Sequence, residues 1–290
     1  MKFSFRREFV KTVSAVLLLF GTYSLANAQS VHEVVHFPTG VMPSVDTSSS
    51  TNTETPTTLG APIWGHLGRP EGQGPHPAIV LLHGCGGIQQ SHFNWARQLN
   101  KAGYVTLVVD SFRPRSVIRQ CDGDKNSTTT VAGRVLDAYG ALEFLTTQPY
   151  VDQTRVGLIG WSHGGETALA AVSKNGVGSR FQQSFKAVAT LYPYCNPGRD
   201  FSAPVMVLIG EKDHWTPASE CSKLAENNAG EIPEVELVLY PDAFHAFDDP
   251  TIGSGFFIPG ALGQRHWLQY DPKAFADAKK RLISFFSSRL

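Results

Sequence analysis

Six short, nearly continuous apolar runs recur from residue 78 onward: AIVLL, YVTLVV, VGLIG, AVATLY, VMVLIG and VELVLY. Runs of this length, bounded by turn-forming residues, suit strands buried on both faces. Between them lie stretches with helical spacing, at roughly 91–102, 130–147, 165–174, 217–227 and 272–288. Strands alternating with helices predict a mostly parallel sheet, right-handed crossovers and helices on both faces, an α/β architecture. Such sheets carry their chemistry at the carboxyl ends of the strands. That gives every candidate residue a positional test.

The regular region, 60–290, reads as one unit without internal repeats, and 42% hydrophobic against 17% charged residues supports a sizeable core. Formal net charge is zero, which argues against nucleic acid as a partner. Ahead of this unit, residues 29–59 comprise a short strand (VHEVVHF) and a Ser/Thr-rich linker, TGVMPSVDTSSSTNTETPTT, while APIWGHLGRP suits a further strand. Residues 1–28 read as a signal peptide. Lys2, Arg6, Arg7 and Lys11 precede the apolar stretch Val13 to Phe20, and Ala26-Asn27-Ala28 supplies a cleavage site. RREFVK resembles a twin-arginine export signal with Phe5 where Ser or Thr is usual, so Sec export stays open. The apolar stretch is shorter than the roughly 20 residues of a membrane span, so no stable anchor is expected. The expected mature protein is periplasmic or secreted and starts near Gln29.

In an oxidising compartment the four cysteines become candidates for two disulfides with three conceivable pairings. Cys195 ends one strand and Cys221 begins the helix after the next, which favours Cys195–Cys221 with Cys85–Cys121.

Gly160-Trp161-Ser162-His163-Gly164 fits G-x-S-x-G, a sharp strand-to-helix turn that presents a serine. RVGLIG before it is a strand and GGETALAAVSK after it a helix, so Ser162 passes the positional test. A serine hydroxyl needs a hydrogen-bonded base, usually histidine, oriented by a carboxylate. Asp213 follows the strand in APVMVLIGEKDHWTP, and His245 follows the strand in VELVLYPDAFHAFD. Both therefore occupy carboxyl ends, in the order Ser, Asp, His. Asp242 and Asp248 are rival acids and His214 and His266 rival bases, but none has so suitable a position. Acyl transfer also needs donors for the developing oxyanion. The small residues of VLLHGCGG let backbone amides face a substrate, which assigns this role to the amides of Cys85 and His163.

The stretches LLHGCGG, GYVTLVVDSF, DAYGAL, GWSHGGET, LYPYC, GEKDHWTPASEC and YPDAFHAFD together resemble the dienelactone hydrolase family of the α/β-hydrolase superfamily, over residues 78–288. The resemblance implies a hydrolase of small carboxylic esters or lactones that needs no cofactor or metal. Founding members use a cysteine nucleophile, where this chain has Ser162. They also bind a substrate carboxylate with arginines, one shortly after the catalytic histidine. Asp248 and Asp249 stand there in this chain, which leaves Arg113 and Arg115 of DSFRPR as candidate clamps. Trp161 and Trp215 flank triad members and are candidate substrate contacts. GWS-x-GG also resembles cutinase-like polyesterases, and a non-catalytic binding protein on the same fold is a further alternative.

Two motifs point elsewhere. HEVVH, at 32–36, matches the zinc-protease pattern H-E-x-x-H, which needs both histidines on one helical face. Its valine-rich character predicts a strand. DGDKN, at 122–126, begins like a calcium loop, but Ser127 replaces the required glycine and Gly133 the bidentate Glu.

Overall fold

A computed structural model describes residues 1, 32–42, 60–122 and 129–290. The signal peptide, most of the Ser/Thr-rich linker and most of DGDKN lie outside the described residues.

Eight strands form one sheet: β1 (Glu33–Pro38), β2 (Pro62–Gly68), β3 (His76–Leu82), β4 (Val105–Asp110), β5 (Val151–Trp161), β6 (Val188–Leu191), β7 (Val205–Gly210) and β8 (Val235–Tyr240). Their order is β1-β2-β4-β3-β5-β6-β7-β8. β1, β2 and β4 pair antiparallel, and every other neighbouring pair is parallel. Five α-helices connect or flank the strands: α1 (Gln90–Lys101), α2 (Val131–Thr146), α3 (His163–Ala171), α4 (Ala218–Asn227) and α5 (Pro272–Ser287). This is the α/β-hydrolase architecture.

The central strands are apolar along their length because both faces are covered. Every residue of β4, β6 and β7 is buried, as are the last five of β3. α5 starts where Asp271 accepts hydrogen bonds from the amides of Lys273 and Ala274 at 2.9 and 3.1 Å, with Pro272 at its first position.

HEVVH contributes the edge strand β1, with His36 opposite Trp64 of β2. Four residues of strand span about 13 Å, too far for His32 and His36 to share a zinc ion. The two rings pack on different partners, Phe93 and Trp64.

A two-stranded hairpin, β9 (Phe256–Pro259) and β10 (Arg265–Leu268), follows the His245 loop. Its strands are only four residues long, β9 ends in Pro259, and Gly253, Gly255, Gly260 and Gly263 flank or separate them, so no long apolar run marks the segment in the sequence. An isolated bridge between His245 and Leu268 joins the hairpin to the loop.

Candidate active site

β5 runs into α3 through Ser162, whose φ and ψ are 52° and −119°. An L-residue tolerates that conformation only when its surroundings enforce it. The enforcement is close packing at the two glycines of the motif. A Cβ on Gly160 would lie 2.1 Å from the Gly164 carbonyl oxygen, and one on Gly164 would lie 2.2 Å from that of Leu82. The Ser162 amide donates to the Leu191 carbonyl at 2.9 Å, while the Ser162 carbonyl accepts from Glu166 at 2.9 Å.

Three loops at neighbouring strand ends then meet. Ser162 Oγ lies 3.0 Å from His245 Nε2, and His245 Nδ1 lies 2.7 Å from Asp213 Oδ2. Asp213 also accepts from the amides of Trp215 and Thr216 at Oδ1, and from the Thr216 hydroxyl at Oδ2. A carboxylate only accepts. The proton of neutral His245 therefore sits on Nδ1, leaving Nε2 free to accept from the serine hydroxyl. Burial alone would raise the Asp213 pKa, but His245 and the Thr216 donors outweigh it and hold the carboxyl below its ordinary value.

The rival residues are engaged elsewhere. Asp242 is exposed in an ion pair with Lys212 at 2.7 Å. His214 Nε2 accepts from the Trp267 amide at 3.2 Å, and His266 stacks on Trp215 with ring centroids 4.6 Å apart. Asp248 is fully buried and takes three hydrogen bonds, from Trp95 Nε1 (2.6 Å), Trp161 Nε1 (2.7 Å) and the Tyr192 hydroxyl (2.6 Å). Burial drives its pKa up against the pull of those donors.

A cavity of about 410 Å³ borders Ser162 and His245, and its lining includes Gly84, Cys85, Gly86, Trp215, Phe256 and Ile258. The Cys85 segment thus borders the same cavity as Ser162. The His163 amide follows Ser162 at the start of α3, while its side chain turns away to Arg134. Trp161 lines the cavity with its indole N–H committed to Asp248, and Trp215 lines it while packing on His245 at 4.7 Å.

The arginine expectation needs correction, since neither Arg113 nor Arg115 borders the cavity. Asp110 Oδ1 accepts from the amides of Phe112 and Arg113, curling the segment into a short 3-10 turn. Arg115 then pairs with the buried Asp137 through two bonds of 2.9 and 2.7 Å, and Arg113 stays exposed beside Asp110. The cavity arginine is Arg119, which sequence reading missed. It reaches the rim because the next residue, Gln120, donates its amide to the Cys85 carbonyl at 2.7 Å, and Cys121 is bonded to Cys85. Cys121 was the available signal. Asp249 borders the cavity, as its place shortly after His245 implied, and His92 borders it unforeseen. Burial lowers the His92 pKa to about 4.

Both disulfides form in the favoured pairing, Cys85–Cys121 and Cys195–Cys221. No helix among the described residues is long and apolar enough to cross a membrane.

The architecture has counterparts among known proteins. A Bradyrhizobium protein named "Probable 2-oxo-3-(5-oxofuran-2-ylidene)propanoate lactonase" is 27% identical over 195 residues, 63% of this chain and 78% of the relative. Among solved structures, a dienelactone hydrolase-like promiscuous phosphotriesterase from metagenomic libraries superposes with a TM-score of 0.63 at 20% identity, covering 89% of this chain and 99% of that one. Thermogutta terrifontis esterase 2, phosphorylated by paraoxon, superposes with a TM-score of 0.59 at 17% identity, covering 78% and 88%. At such identities these two structures establish the shared fold. The sequence pattern of the dienelactone hydrolase family matches residues 63–290, and the chain belongs to that family.

Proposed function

We propose that this protein is an exported serine hydrolase that cleaves small carboxylic esters or lactones through an acyl-enzyme intermediate. The observation that carries this reading is the continuous hydrogen-bonded chain Ser162–His245–Asp213 beside the cavity. His245 Nε2 takes the Ser162 proton as Oγ attacks the ester carbonyl. The resulting negative oxygen meets the amides of Cys85 and His163. His245 then returns the proton to the leaving alkoxide, and water repeats the sequence to release the acid. Asp213 stays ionised and stabilises the imidazolium. A cavity of about 410 Å³ suits a small ligand, and the lactonase name of the Bradyrhizobium relative supports a cyclic or short-chain ester. Two disulfides support maturation in an oxidising compartment.

Purified protein should hydrolyse p-nitrophenyl acetate and butyrate and be labelled at Ser162 by a serine-directed phosphonate. Ser162→Ala should lower kcat by more than about a thousandfold with folding intact. A folded variant retaining a tenth of the turnover would refute the assignment. A wild-type protein that binds esters without cleaving them would make it a binding module.

A further inference from the structure

Arg134, on α2, is fully buried, yet its terminal nitrogens do not go to a carboxylate. Nη2 donates to the His83 carbonyl oxygen at 2.6 Å, and Nη1 donates to His163 Nδ1 at 2.5 Å. Burying a guanidinium is costly, the more so here because its Nε is buried without a hydrogen-bond partner, and an apolar side chain would fill a helix–sheet interface more cheaply. The value of an arginine here lies in what those two bonds join. His83 leads into Gly84-Cys85 at the end of β3, and His163 follows Ser162 at the end of β5. These are the two segments whose amides face the oxyanion under the function proposed above.

We propose that Arg134 is a positioning residue that holds both oxyanion-binding segments in register across the β3–β5 boundary. An arginine only donates, so His163 Nδ1 accepts and its proton sits on Nε2. Burial and the adjacent guanidinium depress the His163 pKa to about 3, which keeps that ring a neutral acceptor across the working pH range. At the other segment, His83 Nδ1 bonds the Gly84 carbonyl at 2.7 Å, and its Nε2 accepts from the Ser111 amide at 3.3 Å. In a trans peptide the C=O and N–H point in opposite directions. Anchoring the Gly84 carbonyl therefore fixes the direction of the Cys85 N–H. Arg134 fixes the His83 carbonyl one peptide earlier. The Phe112 ring packs against His83 at 4.5 Å and lies 5.1 Å from the Arg134 guanidinium, bracing both from the end of β4.

The test compares Arg134→Met, Arg134→Lys and His163→Ala with wild type, with active sites counted by phosphonate titration. Removing an oxyanion donor outright typically costs 10²- to 10³-fold, so a misaligned pair should cost about 10- to 100-fold in kcat. KM should change little. Affinity for a boronic acid, which mimics the tetrahedral oxyanion, should fall by the same factor as kcat/KM, while affinity for the product carboxylate holds. Arg134→Lys keeps the charge but offers one nitrogen to two acceptors, so it should remain impaired. Should Arg134→Met fail to fold, His163→Ala carries the test alone, because it deletes the side-chain acceptor and leaves the His163 amide in place. Variants with fewer titratable sites but wild-type kcat and boronate affinity per site would overturn the positioning role. Wild-type protein that resists the phosphonate would instead overturn the serine mechanism, and the clamp with it.

Discussion

Replacing Asp248 should separate two ways of losing a buried carboxylate. Its three partners, the indole N–H groups of Trp95 and Trp161 and the hydroxyl of Tyr192, come from α1, the end of β5 and the end of β6. Asp248→Ala orphans all three donors in a buried site. At about 1–3 kcal/mol for each unsatisfied donor, the cost is about 3–9 kcal/mol. That is most of the roughly 5–15 kcal/mol by which a domain is stable. Asp248→Asn keeps the volume and one carbonyl oxygen. Both indoles bond Oδ2, so that oxygen can serve them, while the amide NH2 faces Tyr192 and its hydroxyl must turn to accept. One donor is lost, at about 1–3 kcal/mol. Urea unfolding at pH 7 should therefore rank wild type, Asn and Ala in wide, unequal steps. The step to Asn should also depend on pH. Because burial raises the folded pKa of Asp248, the wild-type fold is favoured in acid and loses that advantage as pH rises from about 3.9 through the folded value. The Asn variant does not titrate, so its deficit should be larger at pH 3 than at pH 7. Equal costs for Asn and Ala, or an Ala cost under about 1 kcal/mol, would show that the three bonds do not hold these elements together.

Asp213→Asn should show the opposite slope. The folded pKa of Asp213 is depressed, so its contribution is present above the ordinary carboxylate pKa and lost as pH falls through the folded value, making the variant's deficit larger at pH 7 than at pH 3 in the same urea series. The disulfides close loops with sequence separations of 36 and 26, and chain entropy assigns each roughly 3–4 kcal/mol. Only Cys85 and Cys121 border the cavity, so serine at both should lower kcat/KM as well as the melting temperature, whereas serine at Cys195 and Cys221 should lower the melting temperature alone. Gly164→Ala would bring a Cβ to 2.2 Å from the Leu82 carbonyl, which the strand cannot yield, so soluble protein with normal near-UV circular dichroism and turnover would contradict the elbow geometry.

The sequence was most informative where one local property determines structure. AVATLY and VMVLIG became β6 and β7 because an uninterrupted apolar run can be satisfied only between two covered faces. Ser162, Asp213 and His245 were legible because each sits just past such a run, and sheet topology turns that placement into proximity. Arg113 is turned aside by Asp110, three residues before it, whereas what diverts Arg115 is not local. Asp137, 22 residues beyond Arg115, captures its guanidinium. The hairpin of β9 and β10 was missed because four-residue strands between glycines have too little alternation to register. Arg119 reaches the cavity because Cys121 is tied to Cys85; the favoured cysteine pairing carried that signal, and nothing local to Arg119 did.

The less legible half of the site is its support. Trp95 and Asp248 are 153 residues apart, and Arg134 reaches a carbonyl 51 residues before it and an imidazole 29 residues after it. In the sequence Arg134 is one more residue of a helix, and Asp248 one more acid near a histidine. Their environments separate them. Asp248 sits among neutral donors that tie Trp161 and Tyr192 together, and Tyr192 in turn packs on His245 at 4.5 Å. Arg134 donates to neutral acceptors on the segments that flank the nucleophile and the glycine loop. Under the function proposed above, Asp248 braces the His245 side of the cavity and Arg134 the oxyanion side, while neither needs to touch a substrate. The chemistry-bearing residues can be found by pattern because strand ends bring them together. The residues that hold them to a fraction of an ångström are set by side chains meeting across layers, and only the folded chain reveals those meetings.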